Sequence, residues 1–306
     1  MAKITFRKIR MNKANKERLA VINQIIEDYQ AQGYVLTLRQ LYYQLVSRDV
    51  IPNSLREYAK LSVLLKEGRM AGVVDWDAIE DRLRKPEKPA SFDSPIDILS
   101  AAIGQYQRPR MDDQQTYVEV WVEKDALSGV LKRVTNKYHI PILVNRGYSS
   151  ASAMFDSYQR FLEAYHRNQK IKILYLGDYD PSGIDMIRDV RDRTLEFMKG
   201  GNESIETLEE AAIEYKFSVE SIALTIEQIN QYEPPPNPAK MSDPRANKFV
   251  AKHGKTSWEV DALKPEVLNQ LLDDAILENI NLGTYEEIVN SEQADRDKLR
   301  TLYQYL

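Results

Sequence analysis

Hydrophobic positions follow a helical period through the first part of the chain, then alternate between helical and strand periods. Over 13–32 (Lys13 to Gln32), Leu19, Ile22, Ile25 and Ile26 lie at helical spacing, and Gly33 ends the run. Thr37-Leu38-Arg39-Gln40 and Ser54-Leu55-Arg56-Glu57 each have the form of a capping box, with the turn Asp49-Val50-Ile51-Pro52-Asn53 between them. These signals predict one helix after Thr37, a second over 54–70 and a short one from Asp75. Three helices at this spacing suggest a helix-turn-helix or winged-helix module, and plain helical bundles share the pattern.

A Pro-rich connector runs from Lys85 to Pro95, and a helix near 95–106 follows. Strand-like runs are then predicted at 117–123, 140–144, 171–177 and 217–224, with helices to about Lys137, over 149–166 and over 182–199. Strands alternating with helices point to the α/β class, with a parallel sheet flanked by helices. The domains read as a winged-helix-like segment 1–85, a linker and connecting helix 86–110, and the sheet domain 111–306 with a helical C-terminal extension.

Composition narrows the class. The 306 residues suit about two domains, and 43% hydrophobic with 29% charged residues is the balance of a soluble globular protein. No apolar run approaches the ~18 residues of a membrane span, and no signal-peptide pattern opens the chain. There is no cysteine, which excludes disulfides and thiolate zinc sites and fits a cytosolic protein. His139, His166 and His253 are scattered, so a metal would fall to carboxylates. Charge is uneven: residues 1–90 carry 17 Lys+Arg against 11 Asp+Glu, and the remainder 25 against 35. A nucleic-acid grip joined to a metal-binding domain would have this asymmetry, as would ordinary variation in surface charge.

Two stretches hold candidate chemistry. Lys172-Ile173-Leu174-Tyr175-Leu176 reads as a buried strand running into Gly177-Asp178-Tyr179-Asp180-Pro181-Ser182-Gly183, where Pro181 suits a first helical turn. Two residues apart at a strand end, Asp178 and Asp180 point to one side, where oxygen-only ligation suits Mg²⁺. A solvated strand-to-helix turn is the alternative. Active sites of parallel sheets gather at carboxyl ends of strands, and Glu123 ends the first strand as the aspartates end the third. A salt bridge to Lys124 or Arg146 is the structural alternative for Glu123. In Arg39-Gln40-Leu41-Tyr42-Tyr43, Leu38, Leu41, Tyr42 and Leu45 share the apolar stripe and Tyr43 lies off its centre. Arg39 precedes Tyr43 by one helical turn, an arrangement expected to lower the phenol pKa and to suit a nucleophile for a phosphodiester. An amphipathic helix with one bordering aromatic has the same pattern.

Together, Val122-Glu123-Lys124-Asp125, Asn145-Arg146-Gly147-Tyr148 and Asp178-Tyr179-Asp180-Pro181-Ser182-Gly183 resemble the Toprim domain of topoisomerases, bacterial primases and several nucleases. Val122-Glu123-Lys124-Asp125-Ala126 together with Asp178-Tyr179-Asp180-Pro181-Ser182-Gly183 looks more closely like the A subunit of topoisomerase VI and its meiotic double-strand-break relative. In that family a winged-helix domain with R-x-[IL]-[FY]-Y precedes Toprim, matching Arg39-Gln40-Leu41-Tyr42-Tyr43, and Trp258-Glu259-Val260-Asp261-Ala262-Leu263 resembles its E-[IL]-x-A-L segment. Order and spacing agree over most of the chain.

The resemblance implies Tyr43 as nucleophile, Arg39 as its phosphate-side helper, and Glu123, Asp178 and Asp180 as ligands of Mg²⁺ or Mn²⁺, with Glu123 also counted as catalytic. It implies a 5′-phosphotyrosyl DNA end, a homodimer in which the tyrosine of one chain faces the metal of the other, and a cytoplasmic, nucleoid-associated location. No P-loop is present, so ATP-driven strand passage would need a separate ATPase chain. Arg39, Arg48, Arg56, Lys60, Lys240, Arg245, Lys248 and Lys252 are candidates for nucleic-acid contact. The last four belong to a Pro-rich segment, 233–257, that departs from the family pattern and fits either a DNA-contacting loop or a solvated excursion. The chain is short for the family, like its compact stand-alone relatives. Two rival expectations remain: a Toprim nuclease using metal-activated water, as in phage defence, and a non-catalytic nucleic-acid-binding or assembly factor.

Overall fold

The computed structural model describes residues 3–80, 89–145 and 147–303. The first four residues of the Lys85–Pro95 connector and Arg146 lie outside them. The N-terminal part packs α1 (Lys13–Ala31), α2 (Leu38–Ser47) and α3 (Leu55–Met70) around Leu19, Ile22, Leu41, Leu45 and Leu61, close to the boundaries that the helical spacing predicts. Thr37 and Gln40 form the reciprocal capping box at the start of α2. At α3 only half of the expected box forms: Ser54 caps Glu57 N–H, while the Glu57 carboxylate turns to Lys60 and Arg18. Among the described residues this module has isolated bridges, Thr5 with Ala71 and Leu36 with Ile79, and no hairpin wing.

A helix α4 (Pro95–Gln105) leads to the sheet domain. There β1 (Thr116–Val122), β2 (Ile142–Val144), β3 (Lys170–Leu176) and β4 (Phe217–Ala223) form a parallel sheet in the order β2-β1-β3-β4. Alternate side chains on each strand go to opposite faces. Val118, Val120, Val122, Leu174 and Leu176 join one core with α5 (Asp125–Tyr138) and the later α11 (Pro265–Leu277). Trp121, Ile171, Ile173 and Tyr175 join another with α6 (Ala151–His166), α7 (Pro181–Gly200) and α8 (Leu208–Glu214). On that second face Glu119 is fully buried, and Arg160, Tyr117 and Trp121 supply its hydrogen bonds.

The rest of the chain wraps the carboxyl edge of the sheet and closes one side. After α9 (Ile226–Tyr232) comes a two-residue antiparallel pair, β5 (Asn237–Pro238) with β6 (Thr256–Ser257), enclosing α10 (Ala246–His253). The last helices are α11 and α12 (Leu282–Tyr303), and α12 packs on α4. No helix among the described residues is long and apolar enough to cross a membrane.

Candidate active site

In the order β2-β1-β3-β4 the chain leaves β1 in one direction and β3 in the other, so the switch point lies between them. Clefts open at the carboxyl ends of such strands. Glu123 is the first residue past β1, held there by its N–H donating to Leu176 O at 2.9 Å. Asp178 and Asp180 follow β3. Asp178 N–H donates to Glu123 Oε2 at 3.1 Å, so the two acidic residues interlock. Gly177 permits this approach, because a Cβ there would press on the Tyr175 ring and on Glu123 Oε2.

The two aspartates are placed by the β3–α7 loop and not by the strand itself. Asp180 is the N-cap of α7, its Oδ1 accepting from Gly183 N–H at 2.7 Å and from Ser182 Oγ at 2.8 Å. Tyr179 exchanges two backbone hydrogen bonds with Trp258, and its ring lies against Phe249, His253 and Trp258. This pairing brings residues 258–261 onto the site. Val260 N–H donates to Asp178 Oδ1 at 2.9 Å. Lys124 Nζ meets Asp178 at 2.8 Å, Glu259 at 2.9 Å and Asp261 at 2.8 Å. From α2, Arg39 reaches Glu259 and lies 2.7 Å from Asp261.

Charge is badly out of balance here. Lys124 and Arg39 face Glu123, Asp178, Asp180, Glu259 and Asp261. Burial, then the charges of Asp178 and Asp180, push the Glu123 carboxyl up to about 7. Burial works against the Lys124 charge, yet Asp261 and Asp178 hold its pKa above the ordinary lysine value. No three acidic or imidazole groups among the described residues converge as a formed metal cage, since Asp178 is engaged by Lys124 and Val260 and Asp180 by its helix. Oxygen donors of this kind are the type a hard divalent cation takes, and Glu123, Asp178 and Asp180 could turn toward one only by giving up these contacts. The salt bridge to Lys124 expected as an alternative for Glu123 goes to Asp178 instead.

Tyr43 belongs to this assembly in the same chain. A cleft of about 460 Å³ is lined jointly by Arg39, Tyr42, Tyr43, Tyr58, Asp180, Asn237, Lys240 and Glu259. Tyr42 is committed to structure, its hydroxyl donating to Asn53 Oδ1 at 2.9 Å and accepting from Ser54 N–H at 2.7 Å. Tyr43 is only 4% exposed. The Arg39 guanidinium lies 6.0 Å from the Tyr43 ring, as the one-turn spacing predicts. The expected lowering of the phenol pKa is overturned, because burial and then Asp261 raise it against the opposing pull of Arg39 and Lys124. Much of the Arg39 charge is spent on Glu259 and Asp261.

No protein-family model matches this chain, and no curated protein matches it.

The basic candidates divide. Arg39 and Lys240 line the cleft with Tyr43 and Asp180, while Glu123 and Asp178 adjoin it without lining it. Arg56 and Lys60 border a separate hollow on α3, where Lys60 pairs with Glu57 at 2.5 Å. Arg48 lies 3.7 Å from Asp28. Arg245 pairs with Asp243 and Asp185 and stands over the Tyr148 ring, holding the Pro-rich segment to α7. Lys248 and Lys252 are exposed on α10. Sequence reasoning gave Lys124 only as a salt-bridge partner for Glu123, and Glu259 and Asp261 only as members of a family-like segment, and placed none of the three in the site. The signal for the last two was an apolar alternation, Trp258, Val260, Ala262, with an acid at each intervening position.

Proposed function

We propose that this protein cleaves and rejoins DNA by tyrosine transesterification dependent on Mg²⁺ or Mn²⁺, in the manner of the topoisomerase VI A subunit. Under this reading the N-terminal helices are the winged-helix-like DNA-binding module, the sheet is a Toprim domain, and the chain works as a homodimer in the cytoplasm on nucleoid DNA. A separate ATPase chain would drive any strand passage. The observation that carries the reading is one cleft lined by Arg39, Tyr43 and Asp180, with Glu123 and Asp178 interlocked beside it.

Glu123, Asp178 and Asp180 would hold the cation, which supplies charge neutralisation at the scissile phosphate. Arg39 would bind a phosphate oxygen, exchanging Glu259 for it. The Tyr43 hydroxyl attacks phosphorus, the P–O bond to the leaving 3′-oxygen breaks, and that oxygen takes up a proton. The 5′-phosphotyrosyl ester formed retains the bond energy, so rejoining reverses the same step. Because burial and Asp261 hold the Tyr43 proton on, phosphate must displace Asp261 from Arg39 or the proton must pass to a carboxylate during attack.

That raised phenol also favours a second reading, a Toprim nuclease in which water attacks and Tyr43 only shapes the cleft. Denaturing electrophoresis after incubation with DNA and Mg²⁺ or Mn²⁺ separates the two. Transesterification predicts a covalent protein–DNA adduct that persists in Tyr42→Phe and disappears in Tyr43→Phe. Free 5′-phosphate ends with no adduct in the wild type would establish the nuclease instead. No cleavage in the wild type, together with unchanged function in Asp178→Asn plus Asp180→Asn, would make the protein a non-catalytic nucleic-acid-binding factor.

A further inference from the structure

Arg39 and Tyr58 line both the cleft at Tyr43 and a second cavity of about 450 Å³. The cations Arg39, Lys66 and Arg69 and the rings of Tyr58 and Trp76 line this second cavity. Lys66 is exposed on α3; Arg69 stands 5.6 Å over the Trp76 ring and is fixed by donating to Trp76 O at 3.0 Å and Ile79 O at 2.7 Å. Trp76 is half-buried, with its ring edge against Phe6 at 5.5 Å. Leu38, Leu65 and Ile79 add apolar lining, and Glu80 and Asp125 line the same cavity.

We infer that this second cavity is a binding groove for an unpaired nucleic-acid strand running to the Tyr43 cleft. Grooves for single strands join cations that track phosphates to aromatic faces on which bases stack. A duplex hides its base faces in its own stack, so Tyr58 and Trp76 can be used only by bases already splayed out. Lys66 is exposed, and Arg39 could turn to a phosphate in exchange for its carboxylate partners, while Arg69 backs the Trp76 ring; the module carrying them has the basic excess of the chain. The groove deepens the proposed function by giving the substrate class, DNA with a single-stranded segment beside the scissile bond, and its place on the strand path rests on that reading. Strand binding itself needs neither cleavage nor metal.

The test is fluorescence anisotropy of the full chain in EDTA, with labelled oligo-thymidylate and with a blunt duplex of the same length. The single strand should bind about tenfold tighter. Trp76→Ala should weaken single-strand binding by about tenfold, the scale of one lost base stack, and Trp76→Phe should restore most of it. Lys66→Glu, on an exposed face that leaves folding intact, should lower the slope of affinity against salt by about one phosphate contact. Duplex bound as tightly as the single strand would overturn the inference, as would a folded Trp76→Ala with unchanged single-strand affinity. If Trp76→Ala does not fold, Lys66→Glu decides: an unchanged salt slope overturns the groove. Failure to bind any nucleic acid would leave the groove to another occupant, such as an extended peptide. Adduct formation is read separately, so intact strand binding without an adduct rejects only the transesterase.

Discussion

Glu123 shows how position sets the chemistry of one side chain. Its carboxylate accepts from Asp178 N–H, and burial with the charges of Asp178 and Asp180 raises its pKa from 4.5 to about 7. The folded chain therefore holds a proton there that the unfolded chain has released between those two values. Stability without metal should fall as pH rises through that window and level off above it. Metal-free thermal melts from about pH 5 to about pH 8 should show that fall in the wild type and a shallower one in Glu123→Gln. Equal slopes in the two proteins would remove Glu123 as the cause. Lys124 is the counterpart: a lysine among Asp178, Glu259 and Asp261 keeps the folded site from carrying its full negative charge.

At the scale of elements, the β3–α7 turn decides where the acidic pair stands. Asp180 starts α7 as its N-cap, Pro181 takes the first helical position, and Tyr179 pairs with Trp258. Gly183 lies so close to this turn that an added Cβ would collide with the carbonyl of Asp178. Gly183→Ala should consequently cost about 1–3 kcal/mol, as overpacking does, and displace Asp178 from Val260 and Lys124. Urea denaturation measures the first effect. A stability equal to wild type would show that the turn relaxes without loss.

For the molecule as a whole, the N-terminal helices and the sheet domain share their packing. Val130 of α5 and Ala262 belong to the core of α1–α3. Arg133 lies over the Tyr34 ring at 4.3 Å, Asn269 donates to Tyr34 at 2.9 Å, and Asn53 donates to Pro236 O and Asn237. Arg39 adds its ion pairs with Glu259 and Asp261. With the core and the polar contacts both crossing the boundary, calorimetry should record one unfolding transition. Two resolved transitions would show the modules to be energetically separate.

Local signals were sufficient for the first helices and the sheet, while α8, α9 and the α10 and β5–β6 of the Pro-rich segment were not foreseen. The period of apolar residues, Thr37 with Gln40, and Pro181 beside Asp180 predict α1–α3, β1, β3 and α7 to within about two residues, because helix caps and strand alternation depend on near neighbours. The parallel sheet and the nearness of Glu123 to Asp178 were also legible, since carboxyl ends of adjacent parallel strands share an edge. Charges that meet across the fold were beyond local pattern. Glu259 and Asp261 stand some eighty residues from Asp178 and are brought to it by the Tyr179–Trp258 pairing, and Asp261 so placed adds to burial in raising the Tyr43 phenol pKa despite Arg39. Sequence determined which side chains are candidates for chemistry; the tertiary structure decided which of them neutralise one another, because Coulomb energy depends on distance in space and on burial, and neither is written in spacing along the chain.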